Sequence, residues 1–142
     1  MIRILIADDH GTVRRGLKEI LLDAFVDAQI TEVSNGLEVI QKAREEEWDI
    51  VISDLSMPGK TGLEALKTLK LEFPKLAFLI LSMHPEDRYA IRALRAGAAG
   101  YLTKDTAADE LVNAVKTILN GKRYITPTIA EKLAQNLSLN DN

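Results

Sequence analysis

Short, nearly continuous apolar runs alternate along this chain with stretches whose apolar residues recur every three to four positions. Ile2–Ala7 reads as a buried strand, and Val13, Leu17, Ile20, Leu21 and Ala24 then follow helical spacing. Ala28–Val33 is shorter and more polar, as an edge strand would be. Asn35 with Glu38 three residues on predicts the start of a second helix. Ile50–Ser53 is the third strand. Thr61 and Glu64 form a capping box ahead of Leu63, Leu66, Leu69 and Phe73, and Pro74 stops that helix. Ala77–Leu81 is the fourth strand, and Asp87–Ala96 is an alanine-rich helix closed by Gly97. Gly100–Thr103 is a short fifth strand. Thr106 and Asp109 open a last core helix with Leu111, Val115 and Ile118 inward and Gly121 as its stop. Five strand–helix units in sequence predict an α/β fold, a doubly wound parallel sheet with helices on both faces. The Val/Ile/Leu runs of strands one, three and four suit strands covered on both sides.

The remaining segment, 122–142, is patterned too. Thr126 followed by Pro127 is a helix start, with proline where its missing N–H costs nothing. Ile129 or Ala130, Leu133 and Leu137 then line one face of a sixth, amphipathic helix, and the polar LSLNDN end is expected to fray. An apolar stripe left after the core has closed seeks a partner: its own domain, a second copy or a further domain.

At 142 residues the chain suits one domain with a core large enough to need no staple. It has no cysteine, which excludes disulfides and thiolate metal sites and fits a reducing cytoplasm. A net charge of −3 with no basic face argues against this stretch gripping nucleic acid by itself. The opening MIRILIADDH is too short an apolar run for a signal peptide, and no run approaches the roughly 18 apolar residues of a membrane span.

The candidate chemistry sits at strand ends. Asp8 and Asp9 close the first strand, Asp54 follows the third, Ser82 the fourth and Lys104 the fifth. In an open parallel sheet these carboxyl ends share one edge, where ligands bind. Two like charges 4 Å apart repel by about 4 kcal/mol at an effective dielectric of 20, so three carboxylates there call for a cation or a retained proton. Mg²⁺ suits the pocket: it takes oxygen ligands and keeps positions open for phosphate. Asp54 can act as a nucleophile and form an aspartyl phosphate. In its SDLSMPG context, Pro58 and Gly59 turn the loop, and the Ser56 backbone carbonyl offers a metal ligand. Ser82 can donate to a phosphoryl oxygen and Lys104 can pair with it. The plainer alternatives are an acid pair that caps the first helix, a solvated Asp54 and a solvated Lys104. They leave unexplained why all five residues meet one sheet edge.

With those residues in place, the chain resembles the receiver domain of two-component response regulators over residues 1 to about 120. The likeness rests on Asp8-Asp9, on SDLSMPGKTG around Asp54, on Ser82 and on GYLTK ending in Lys104. It implies a flavodoxin-like strand order 2-1-3-4-5. It implies that Asp54 accepts a phosphoryl group from a sensor histidine kinase. It further implies Mg²⁺ held by Asp9, Asp54 and the Ser56 carbonyl, with Asp8 acting through water. Ser82 and Tyr101 would be the switch pair, and Lys104 would bind a phosphoryl oxygen. ADDH, LSMH, GAAGYLTKD and GKRYITPTIAEKL narrow the likeness to the NarL/LuxR-type branch. That branch implies a receiver over 1–121 and a linker helix within 122–142, leading to a helix-turn-helix DNA-binding domain absent here. An excised receiver with its linker is therefore favoured over a freestanding phosphorelay receiver. Homodimerisation on phosphorylation and a cytoplasmic, membrane-free location complete the expectation. Many receivers carry proline after the lysine; Asp105 stands there instead, so a cis bond is not assumed.

The other residues have plainer readings. His10 beside two Asp suggests a transition-metal site, but Mg²⁺ leaves imidazole little role, so it reads as a helix-start loop residue. His84 either tunes water access to the aspartyl phosphate or is an exposed loop histidine. Trp48 reads as packing, Tyr101 alternatively as plain core, Met57 and Met83 as gap fillers, and Glu45-Glu46-Glu47 as a solvated helix end. A phosphorylation switch is thus expected rather than a turnover enzyme. An Asp-nucleophile phosphohydrolase would want a second Asp where Ser56 stands, and a pure interaction module would not need the acid pocket intact.

Overall fold

A computed structural model describes residues 1–83 and 88–140 of the chain. Its five strands are β1 (Arg3–Ala7), β2 (Gln29–Val33), β3 (Ile50–Asp54), β4 (Phe78–Ser82) and β5 (Gly100–Thr103). They form one parallel sheet in the order β2-β1-β3-β4-β5. Between them run α1 (Gly11–Ala24), α2 (Gly36–Glu45), α3 (Gly62–Glu72) and α4 (Arg88–Arg95). After β5 come α5 (Ala107–Leu119) and a sixth helix, α6 (Pro127–Asn140). The expected flavodoxin-like fold is the one observed, and every strand lies within a residue of its expected bounds. The sixth helix is helical through Asn140, and the end of LSLNDN, 141–142, lies outside the described residues.

Alternation along the strands splits the core in two. Ile4, Ile6, Ile50, Ile52, Leu79, Leu81 and Leu102 face α1 and α5, where Leu17, Leu21, Leu111, Val115 and Ile118 meet them. Leu5, Ala7, Val51, Phe78, Ile80 and Tyr101 face the other way, against Val39, Ile40, Leu66, Leu69 and Leu94 of α2, α3 and α4. β2 is the exposed edge strand, with only Val33 fully buried.

The helix starts follow the local chemistry expected of them. Asn35 Oδ1 accepts from Glu38 N at 2.9 Å, and Thr61 and Glu64 form a reciprocal capping box. Thr126 Oγ1 accepts from Ile129 N at 3.2 Å. Thr106 departs from this: its hydroxyl turns back to Thr103 rather than capping α5. Met83 corrects an expectation. It is 78% exposed, whereas Met57 fills the core as expected, because Met83 lies beyond the end of β4 where no layer covers it.

The segment after α5 is tied back to the sheet. Tyr124 makes a parallel bridge to Gly100, its N–H donates to the Ala99 carbonyl at 2.8 Å and its hydroxyl donates to Glu110 Oε1 at 3.0 Å. Arg123 donates to the Leu94 and Ala98 carbonyls, covering the C-terminal end of α4. Ile129 of α6 is buried in the same apolar cluster as Leu94 and Tyr101, with Leu133 packed beside it. The Leu137 side chain and His84 lie outside the described residues. Among the described residues no helix is long and apolar enough to cross a membrane.

Candidate functional site

Strand register assembles the site. Ala7 pairs with Ser53, so Asp8 and Asp54 emerge side by side from β1 and β3. Asp54 pairs with Leu81 and Ser82 with Thr103, which brings Ser82 and Lys104 to the same edge. By alternation Asp8, Asp54 and Lys104 continue the row that faces α1 and α5. Ser82 and Tyr101 continue the opposite row. The sheet thus delivers two carboxylates and an ammonium to one spot from three different strands.

Lys104 Nζ lies 2.9 Å from Asp8 Oδ2 and 3.0 Å from Asp54 Oδ2. Its stem is almost wholly covered, and its backbone N–H donates to the Ser82 carbonyl at 2.8 Å. Burial works against the lysine's charge, but the two carboxylates outweigh it and raise its pKa overall. Burial likewise pushes the Asp54 carboxyl above the usual carboxylate range; Lys104 pulls it down and the neighbouring Asp8 adds to the rise. Asp54 Oδ1 also receives the Ser56 N–H at a long 3.4 Å.

Close backbone packing holds Asp54 from behind. The Gly62 N–H donates to the Leu55 carbonyl at 3.1 Å, and a Cβ at Gly62 would fall 1.9 Å from the Asp54 carbonyl oxygen. Glycine at the start of α3 is therefore a steric requirement of the loop that carries Asp54. The only sequence signal for it is the Thr-Gly pair ahead of the helix.

Asp9 and Asp8 divide the work of exposure. Asp8 is fully buried, whereas Asp9 opens to solvent. Asp8 Oδ1 accepts the His10 N–H at 2.8 Å. The His10 ring Nδ1 sits 3.0 Å from Asp8 Oδ1 and 3.3 Å from Asp9 Oδ1, so His10, read as a loop residue, faces both acids. It is also the residue that precedes the first turn of α1. Sequence alone could not place its ring, because nothing in ADDH fixes that side chain's direction.

The group fits a divalent cation. One ligand atom from each of Asp8, Asp9, His10 and Asp54 lies within 4.8 Å of the others. Asp8 Oδ2 is buried with no hydrogen bond of proper direction, meeting the ammonium of Lys104 by ion pairing alone. An oxygen-rich set of carboxylates is what a hard cation takes. Ser82 and Tyr101 are both buried, the Tyr101 ring fully so. No peptide bond among the described residues is cis, Lys104–Asp105 included. Trp48 packs as expected, its indole N–H donating to the Lys42 carbonyl at 2.9 Å. Of the three glutamates, Glu45 and Glu47 are exposed and Glu46 is drawn into an ion pair with Arg3.

Comparison with known proteins follows the same lines. Residues 4–116 match the family described as the response regulator receiver domain. Response regulator GacA of Pseudomonas viridiflava is 40% identical over 134 residues, which cover 94% of this chain and 63% of that protein. Response regulator UvrY of Escherichia coli K12 is 37% identical over 134 residues, with 94% and 62% covered. The chain thus spans just under two thirds of the length of these relatives. A LuxR-family two-component response regulator from Aurantimonas sp. SI85-9A1 superposes with a TM-score of 0.84 at 35% identity, covering 96% of this chain and 97% of that one. RcsB of Salmonella typhimurium shares the fold, with a TM-score of 0.84 at 24% identity, over 94% of this chain and 70% of that one. The strand order, the converging acids and these likenesses agree: the chain belongs to the response regulator receiver domains of two-component systems.

Proposed function

We propose that Asp54 is the phosphoacceptor of this receiver and that a sensor histidine kinase supplies the phosphoryl group. The observation that carries this reading is the buried Asp54 carboxylate, 3.0 Å from the ammonium of Lys104 at the sheet's ligand-binding edge. In the transfer, an Asp54 oxygen forms a bond to phosphorus while the phosphorus–nitrogen bond of the donor phosphohistidine breaks. The bonding pair returns to the imidazole nitrogen, which takes up a proton. Lys104, already aligned on Asp54, pairs with a phosphoryl oxygen of the product. Ser82 donates its hydroxyl to another, and Tyr101, two register places back on the neighbouring strand, packs inward behind it.

Asp9, Asp54 and the Ser56 carbonyl are the residues that would hold Mg²⁺, with Asp8 acting through water. The ion would neutralise carboxylate and phosphoryl charge that otherwise repel. The new group adds about −1.5 to −2 charges beside Asp8. The face built from α4, β5 and α5 responds and changes dimerisation or the output of a transcriptional regulator. In that reading 1–121 is the receiver and 122–142 a linker helix leading to a helix-turn-helix domain that contacts DNA. The protein acts in the cytoplasm as a switch with self-limited phosphoryl chemistry, not as a turnover enzyme.

The test is incubation with Mg²⁺ and acetyl phosphate, followed by intact mass and size-exclusion chromatography beside Asp54→Asn. One phosphoryl increment, absent in the variant, is expected, with earlier elution if dimerisation is the output. Stoichiometric labelling that persists in the variant would overturn the assignment.

A further inference from the structure

We infer that the groove between α3 and α4 is a docking site for an acidic amphipathic segment of a partner protein. The segment lays an apolar face on Leu63 and Ala96 and sets carboxylates against Lys67, Arg92 and Arg95. This surface lies outside the phosphoryl pocket and goes beyond the phosphoacceptor reading above.

Helical periodicity builds the groove. Leu63 and Lys67 stand one turn apart on α3. Arg92 and Arg95 of α4 and Ala96 just after it follow i, i+3, i+4 spacing. The Ala96 N–H still donates to the Arg92 carbonyl at 3.0 Å, so one helical face carries all three. Together the five line a concavity of about 340 Å³. α3 packs closely along α2 but stands off from α4, which leaves a trough between them. Lys70 ties the two helix ends together. Its stem lies against Gly97, and its ammonium donates to the Pro74 and Leu76 carbonyls at 2.6 and 3.0 Å. α6 seats Ile129 in one cluster with Leu94 and Tyr101, yet no described residue of α6 lines the trough.

The lining has one sign of charge. Its three charged residues are cations, in a chain whose net charge is −3. Lys67, Arg92 and Arg95 are all exposed, and neither Lys67 nor Arg92 forms an ion pair with a described residue. Glu64, three residues before Lys67, accepts from the Thr61 N–H in the capping box and does not line the trough. Such a field draws in carboxylates and speeds encounter. The floor decides the class of partner. Leu63 and Ala96 are half-buried against the core and present apolar surface between the cations. A nucleic-acid backbone or a bare polyanion has nothing to lay there. An amphipathic helix with Leu or Ile bordered by Glu or Asp fills floor and rim together. Arginine suits the rim, since its planar fork grips a carboxylate through two bonds.

Fluorescence anisotropy on the full chain tests this. The probe is a labelled peptide of about 14 residues, roughly 21 Å as a helix, with Leu on one face and Glu on its borders. Two comparison peptides replace every Glu by Gln or every Leu by Ser, and a single-stranded oligonucleotide of similar charge is the third comparison. The Glu/Leu peptide is expected to bind about tenfold more tightly than any of the three, and more weakly as salt is raised. Lys67→Glu and Arg92→Glu are each expected to weaken it roughly fivefold or more. Lys75→Glu reverses an exposed cation outside the trough and should leave the affinity unchanged. Melting and acetyl phosphate labelling of the variants should match wild type, which separates a lost contact from a lost fold. In wild type, chemical-shift changes on adding the peptide should centre on Leu63, Lys67, Arg92 and Ala96. No binding, equal binding of any comparison probe, affinity that survives both Lys67→Glu and Arg92→Glu, or shifts centred elsewhere overturns the inference.

Discussion

The two edges of the sheet make opposite use of charge. At the carboxyl edge, two carboxylates and an ammonium are packed into near-complete burial with contacts of 2.9 and 3.0 Å. At the amino edge lies a cleft of about 540 Å³ lined by Met1, Arg3, Trp48, Phe73, Lys75 and Leu76 among others. There Arg3 is already committed. The Arg3 guanidinium lies 4.8 Å over the Trp48 ring, pairs with Glu46 and donates to the Glu47 carbonyl, while the Arg3 N–H reaches Asp49. One end of the molecule thus holds a cleft and the other the convergent charges. Chemistry is the better guide here: a phosphoryl group and an ion need convergent donors more than room.

The sharpest way to break that contrast is to disturb the carboxyl edge through its backbone. Gly62→Ala drives a methyl group into the Asp54 carbonyl, and the rigid strand end cannot give way. A loss of about 3 kcal/mol in urea unfolding is expected, at the upper end of overpacking costs, together with a several-fold fall in acetyl phosphate labelling. Trp48→Ala works on the other edge. It removes a half-buried ring that packs on the core and should cost about 2 kcal/mol by circular dichroism melts, below the full cost of emptying a core site. Labelling of Asp54 should not change; a parallel loss of labelling would mean that the two edges are coupled. Asp54→Asn is the subtlest. Burial raises the Asp54 pKa in the folded state, so the group favours folding below the ordinary carboxylate range and loses that contribution as pH rises through the raised value. The variant should therefore melt higher than wild type near pH 7, with the gap closing toward about pH 4.

Much of this was legible in the sequence because the signals were periodic or local. The apolar runs named the strands, and Asn35, Thr61 and Thr126 announced helix starts that the hydrogen bonds bear out. The carboxyl-end rule gathered Asp8, Asp54, Ser82 and Lys104 before any distance was known. What escaped depends on tertiary placement. The His10 ring direction follows from a loop closed by Arg14, six residues past Asp8. Met83 is apolar yet uncovered because β4 ends one residue earlier. Ala24 fits the helical period but lies exposed at the last position of α1, where the sheet no longer sits beneath it. The demand on Gly62 is visible only when α3 is brought against the end of β3.

The Tyr124–Gly100 bridge and the Arg123 contacts with α4 bear on how this receiver can be joined to an effector domain. A chimaera joined at Gly121 would strip β5 of an edge partner and bare the carbonyls of Leu94 and Ala98. Joining after Thr126 would keep both, and would hand the new effector a stub whose direction is already set by the sheet.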